Sequence, residues 1–223
     1  MKFGRIAGAF TLLLALAACG NQADKNPLLL VSKAAVQTFK PGARAEPSDA
    51  RDILTPALIE RSDTSALLVV SLDQDQGFTV IPQTANRGTV QWRAGDYRGI
   101  LRRDGIVVGT RGFGHDLYTA DVDALDAAFE SNGATDALRV NRYLTAEGII
   151  EVREMICTVR LVGQEPLNIY GKIKQTRVFE EDCRDGGGDF VNRYWVERDG
   201  RVRKSNERIS PEIGTFEITR LTE

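Results

Sequence analysis

The chain has 223 residues, with 29 Lys and Arg against 31 Asp and Glu and a formal net charge of −2. So even a balance supplies no basic field for nucleic acid and no polybasic membrane patch. One histidine, His115, and three cysteines are too few for a His- or Cys-rich metal cage, so neither metal nor cofactor is expected.

Lys2 and Arg5 precede an uncharged apolar run from Ile6 to Ala18. A membrane-spanning helix needs about 20 such residues, so residues 1–18 read as a secretory signal peptide instead. Leu16-Ala17-Ala18-Cys19 resembles the bacterial lipobox, in which the cysteine is acylated and becomes the new first residue. Cys19 is therefore the expected lipidation site; an ordinary signal peptide with a chance cysteine is the alternative. Gly20 stands where an inner-membrane retention signal would place Asp, which points to the outer membrane with the protein facing the periplasm. Palmitate-type acyl chains would supply the anchoring. Residues 19–27 read as a lipidated tether and residues 28–223 as the folded part.

Leu28 to Phe39 has apolar residues at helical spacing, and Pro41-Gly42 ends the pattern. Ser48 or Thr55 offers a helix cap, and Pro56 suits a first helical position. From Ala66 the pattern becomes β-like: Leu67–Leu72, Phe78–Ile81 and Thr89–Arg93 are strand candidates. Arg103-Asp104-Gly105-Ile106 is a strong hairpin signal joining Arg98–Arg102 to Ile106–Thr110. A helix follows with Val122, Leu125, Ala128 and Phe129 on one face. Asp121 or Asp123 lies at its start and Asn132-Gly133 at its end. Ile149–Val162 and Leu167–Phe179 are long β-like runs joined by Gly163-Gln164-Glu165-Pro166. Phe190–Glu197, a turn at Asp199-Gly200, Val202–Ser205 and Phe216–Leu221 complete the chain. The sum is a mainly β protein, an antiparallel two-layer sandwich or half-open barrel with one to three short helices. It forms either one sheet system or two lobes dividing near residues 115–135.

Cys157 and Cys183 are an even pair, which in an oxidising compartment points to a disulfide; two buried free thiols are the alternative. If Val162 pairs with Leu167, Cys157 faces Lys172 and Cys183 lies near Ala146. The two cysteines are then not cross-strand neighbours. A bond would require the chain after Phe179 to fold back through the glycine-rich stretch 185–189.

Three consecutive carboxylates, Glu180, Glu181 and Asp182, offer the residue types of a glycoside hydrolase, but strand neighbours point to opposite faces, and a solvated turn is favoured. Asp185 and Asp189 lack the ligand spacing of a calcium loop. His115 sits beside Asp116, yet no serine or cysteine nucleophile motif accompanies it, and the glycine-rich stretch 109–114 lacks a phosphate-loop lysine. No catalytic residue is assigned. Trp92, Tyr97, Tyr194 and Trp195, with Tyr118, are candidates for contact with a glycan or a partner, core packing being the alternative. On a strand Tyr194 and Trp195 face opposite sides, so a one-sided sheet would bury only one of them.

Taken together, several motifs resemble the YjbF-like, group 4 capsule polysaccharide lipoproteins of GfcB/YjbF type. They are the lipobox Cys19, Gln91-Trp92-Arg93, the glycine-rich run from Asp104 to Leu117, Phe190-Val191-Asn192-Arg193-Tyr194-Trp195-Val196, Gly200, Ser205 and Ile209-Ser210-Pro211. The resemblance spans residues 55–221. It implies an all-β, two-layer fold and an outer-membrane lipoprotein that assists exopolysaccharide or capsule export. The implied partners are the polysaccharide or its export proteins, with no role for nucleic acid. It supplies no catalytic residue and so implies a non-catalytic accessory factor. The alternatives are a periplasmic glycan-hydrolysing or glycan-modifying enzyme using Glu180, Glu181 or Asp182, and a lipid or lipoprotein carrier with a large apolar cavity.

Overall fold

The computed structural model describes residues 49–145, 147–184 and 188–222. The signal peptide, Cys19, the tether and the helix expected over 28–39 lie outside the described residues. The described chain enters through two short helices, α1 (Ala50–Ile53) and α2 (Pro56–Glu60). Asp49 caps α1 by accepting from the Arg51 N–H, and it also accepts from the Gly77 N–H at 2.8 Å, which pins the helix to the sheet. Thr55 caps α2, with Pro56 in its first turn, as the sequence leads one to expect.

The rest is β1 (Leu67–Ser71), β2 (Gln76–Asn86), β3 (Thr89–Arg93), β4 (Gly99–Arg103), β5 (Ile106–Arg111), β6 (Leu117–Asp121), helix α3 (Asp123–Ser131), β7 (Gly133–Leu144), β8 (Ile150–Ile169), β9 (Lys172–Arg184), β10 (Phe190–Val196), β11 (Val202–Ser210) and β12 (Gly214–Arg220). These strands form one antiparallel sheet in the order β5-β4-β3-β2-β1-β12-β11-β10-β9-β8-β7-β6. Of the two architectures expected, the barrel-like one is observed, a nearly closed sheet with three short helices among the described residues. The β2–β3 register shifts through a bulge between Pro82 and Thr84.

The outermost strands, β5 and β6, meet without a backbone ladder. Side chains close the seam instead. The Leu117 N–H donates to Thr110 Oγ1 at 3.0 Å, and the Thr110 hydroxyl donates to Asp116 at 2.7 Å. Arg111 donates to the Tyr118 carbonyl at 3.2 Å. Gly109 permits this approach, because a Cβ there would lie 3.3 Å from the Leu117 and Tyr118 carbonyl oxygens.

The wrapped sheet has two apolar faces. The interior core runs from Phe78, Val80 and Ile100 to Phe179, Tyr194 and Ile218. Phe129 of α3 enters it, 5.0 Å from Phe179 and 5.2 Å from Tyr194 between ring centroids, so α3 fills part of the lower barrel end. The expected Asn132 stop is observed: it takes a left-handed conformation, φ 62°, and its side chain accepts from Arg177. Outside the barrel, Leu54 and Ile59 pack over Leu68, Val70, Val178 and Trp195. This second core makes the sheet two-sided, so the one-sided case in which only one of the two aromatics is buried does not apply. Tyr194 and Trp195 face opposite sides, and both are buried.

The long hairpin also corrects the expected register. Its turn lies at Tyr170-Gly171, both at positive φ (48° and 91°), and not at 163–166, which is strand. A bulge at Leu161/Gly163 then sets Cys157 directly opposite Cys183, and the two form a disulfide. The bond lies within the β8–β9 ladder, so it needs no fold-back of the chain after Phe179. The tyrosine in a left-handed position hid this turn from a reading based on Asn, Asp and Gly. Ile173 lies exposed beyond the turn.

Candidate functional site

The strand directions assign each connection to one barrel end. Turns 72–75, 94–98 and 211–213 and loop 112–116 lie at the upper end; Gly88, Asp104-Gly105, α3 and the turn at 197–201 lie at the lower end. Between the ends runs a buried polar chain that starts on β7. Arg139 donates to both Glu181 oxygens at 3.0 Å and to Asn141 at 3.2 Å. Glu181 also accepts from Asn192 at 2.8 Å and from the Tyr194 hydroxyl at 3.0 Å. Glu207, 3.5 Å from that hydroxyl, accepts from Ser205 at 2.7 Å and from the Val107 N–H at 2.9 Å. Burial pushes the Tyr194 hydroxyl well above its ordinary value, aided by the charges of Glu181 and Glu207, so it stays a proton donor. Burial likewise raises the Glu207 carboxyl.

The three consecutive carboxylates are thus parted. Glu181 points inward and is consumed by Arg139, Asn192 and Tyr194, whereas Glu180 and Asp182 pair with Arg193 and Arg184 on the other face. A Glu181 oxygen and the Cys157 and Cys183 sulfurs lie within 4.8 Å of one another, but the sulfurs are spent in the disulfide. His115 lines an upper cavity of about 260 Å³ with Arg98 and Glu212. Its neighbour Asp116 does not orient it, being bound to Thr110 and to the Gly112 and Phe113 N–H groups.

Four of the five aromatic candidates fall in four places, and the fifth, Tyr118, is exposed on β6 under the Arg111 guanidinium. Tyr97, 77% exposed, stands in the upper turn after β3 under the Arg93 guanidinium. Tyr194 is 0% exposed, an interior residue that no ligand reaches from outside, because its position on β10 faces the barrel axis. Trp195 is 6% exposed in the outer core, donates to Glu165 at 3.2 Å and is flanked by Lys204. Trp92, 5% exposed, lines a cavity at the lower mouth.

That mouth has a volume of about 390 Å³. Trp92, Val90 and Val202 line it together with Arg102, Arg201 and Arg220. The two Asp-Gly turns meet there: a Cβ on Gly105, at φ 88°, would lie 2.7 Å from Val202 Cβ. Arg102 follows Ile100 on the inward face of β4 and pairs across to Val90. Sequence reasoning missed Arg102; its signal was a cation at an alternate position that the strand pattern assigns to the interior.

The family model described as group 4 capsule polysaccharide lipoprotein gfcB, YjbF matches residues 32–221. A search among curated protein sequences finds no match. The crystal structure of the hypothetical lipoprotein YmcC from Escherichia coli (K12) is similar in fold, with a TM-score of 0.66 at 18% identity, covering 75% of this chain and 88% of that one. The two-turn mouth, the Trp92 strand and the Asn192–Trp195 strand all fall inside the matched residues, and the chain belongs to the group 4 capsule polysaccharide lipoprotein family.

Proposed function

We propose that this protein is an outer-membrane lipoprotein, anchored through Cys19 and facing the periplasm, that assists assembly or export of a polysaccharide as a non-catalytic accessory factor. The observation that carries the reading is how the polar groups are divided. The inward carboxylates Glu181 and Glu207 are held in structural hydrogen bonds. The lower mouth offers guanidinium, indole and aspartate groups instead, the chemistry of glycan contact. A hydrolase would need two carboxylates about 5–10 Å apart across a substrate cleft, and residues 180–182 alternate between faces. A lipid carrier would need an apolar cavity, whereas the interior holds Arg139, Glu181, Tyr194 and Glu207. The buried Cys157–Cys183 bond suits an oxidising compartment, and Gly20 after Cys19 favours the outer membrane.

Deletion of the gene tests the reading, with secreted polysaccharide measured for amount and chain length. Loss or shortening is expected, restored by the wild-type gene and not by Cys19→Ala, whose product partitions as soluble. Unchanged polysaccharide in the deletion strain refutes the export role.

A further inference from the structure

Arg98 closes the upper turn 94–98 and lines the cavity of about 260 Å³ at that end of the barrel. Its guanidinium is held from two directions. The Nε donates to Asp96 at 2.7 Å, and the guanidinium carbon lies 4.6 Å from the Phe78 ring centre and 5.3 Å from that of Phe113. Loop 112–116 passes over the stem, since a Cβ built on Gly112 would lie 3.6 Å from Arg98 Cγ. Asp116 fixes that loop by accepting from the Gly112 and Phe113 N–H groups, and Phe216 braces both rings, at 6.3 Å and 5.2 Å between centroids. The Asp96 bond uses the Nε alone, so both Nη groups are without a protein partner among the described residues. The Arg98 side chain is 37% exposed, and with its stem covered by Gly112 that exposure lies toward the guanidinium. The two rings against the guanidinium line the cavity with it. A cation stacked and anchored in this way offers its remaining donors with little rotamer freedom left to lose.

We propose that the upper cavity binds one acidic saccharide residue, with the Nη groups of Arg98 as donors to its carboxylate or phosphate oxygens. The proposal rests on the polysaccharide reading above and adds a contact at the barrel end opposite the lower mouth. The two Nη groups suit an oxyanion, because parallel N–H bonds match two oxygens and each bond is charge-assisted. The rest of the lining selects what carries the oxyanion. Glu212 and Gln74 are exposed at the cavity, and the ion-pair partner of Arg98 is Asp96 and not Glu212. A free carboxylate and a free amide accept protons from hydroxyls, and His115 adds a donor and an acceptor. The Glu212 charge also opposes a bare polyanion, so the lining favours a singly acidic, hydroxyl-rich ligand. The volume falls just below the range of drug-sized sites, about 300–1,000 Å³, which admits a single sugar residue and not an oligosaccharide.

The test titrates the full chain in detergent with glucuronate and glucose 6-phosphate, beside glucose, acetate and inorganic phosphate. The Arg98 Nε–Hε resonance is followed by NMR and affinity by calorimetry. At least one acidic sugar is expected to move the resonance and to bind about tenfold or more tighter than glucose and than its own bare anion. Which of the two does so identifies the oxyanion. Arg98→Lys keeps the charge and loses the paired Nη groups, so acidic-sugar affinity should fall by about tenfold. Glu212→Gln alters an exposed turn and leaves Arg98 in place. It removes the repulsion of a bare anion and weakens the hydroxyl acceptor, so the preference for the acidic sugar over its anion should narrow by about two- to fivefold. No response to either acidic sugar, glucose binding as well as both, or a bare anion binding as tightly as the sugar that carries it overturns the proposal. So does unchanged affinity in Arg98→Lys, or a preference that Glu212→Gln leaves intact. Those results leave the export reading standing if the deletion strain still loses its polysaccharide. Unchanged polysaccharide removes the export reading whatever the titration gives.

Discussion

Arg139 and Glu181 form an ion pair whose side chains are almost fully buried. Burial alone would lower the Arg139 guanidinium, but the Glu181, Tyr194 and Glu207 charges and the Glu181 hydrogen bond together outweigh it and raise it, so the cation is kept. Such a pair adds little net stability over an apolar replacement, but breaking it from one side leaves a charge buried alone. Arg139→Met should therefore cost about 3–5 kcal/mol in urea unfolding; a loss below about 1 kcal/mol would show that Glu181 is held well enough by Asn192 and Tyr194. Glu207 makes a second prediction. Burial lifts its carboxyl above the ordinary value of 4.5, against the opposing Arg102 charge, Val107 N–H and Ser205 hydroxyl. The folded protein then keeps a proton that the unfolded chain has released, so this group's contribution to stability falls as pH rises from 4.5 through the raised folded value. Glu207→Gln keeps an acceptor for Val107 and removes the titration. Its unfolding free energy should decline less than that of the wild type across that window, and parallel profiles would contradict the assignment.

At the scale of elements, legibility depended on whether the interior was apolar. Asp104-Gly105 and Asp199-Gly200 were plain hairpin signals because their flanking strands put hydrophobic residues on the side that is buried, and both turns form. β7 was not legible. Its inward positions carry Ala137, Arg139, Asn141 and Tyr143, while Leu138 lies exposed, so the alternation is inverted relative to an ordinary strand. The polar chain that hides β7 is also the part of the interior the sequence did not announce. The candidate mouth was half legible: Trp92 stood out as an aromatic, but Arg102 read as a solvated charge until the sheet closed around it. The disulfide was legible as a pair and not as a position, because the Tyr170-Gly171 turn sets the register. It joins strands already paired, with a separation of 26 residues. Its reduction should cost about 3 kcal/mol, visible as a lowered midpoint in denaturant with reductant. No shift in midpoint would mean that the hairpin remains equally constrained in the unfolded chain.

At the scale of the molecule, the barrel is as secure as its weakest lateral joint. Eleven neighbouring strand pairs are hydrogen-bonded in sequence along the sheet order, but β5 and β6 are joined through side chains. Thr110 is central to that joint, since its one hydroxyl accepts from the buried Leu117 N–H and donates to Asp116. Asp116 in turn organises the loop over the upper end by accepting from Gly112 and Phe113. Thr110→Val preserves shape and removes both bonds, leaving a buried N–H unsatisfied at a cost of about 1–3 kcal/mol. The loss should be local before it is global. Opening the seam frees β6 and the loop without disturbing the β8–β9 ladder, and sub-global opening of this kind is read by amide hydrogen exchange. In the variant, Leu117, Gly112 and Phe113 should lose protection well beyond the change seen at Val159 and Phe179. Uniform loss across all of these amides would mean that the barrel opens only by complete unfolding and that the side-chain seam is as cooperative as a backbone ladder.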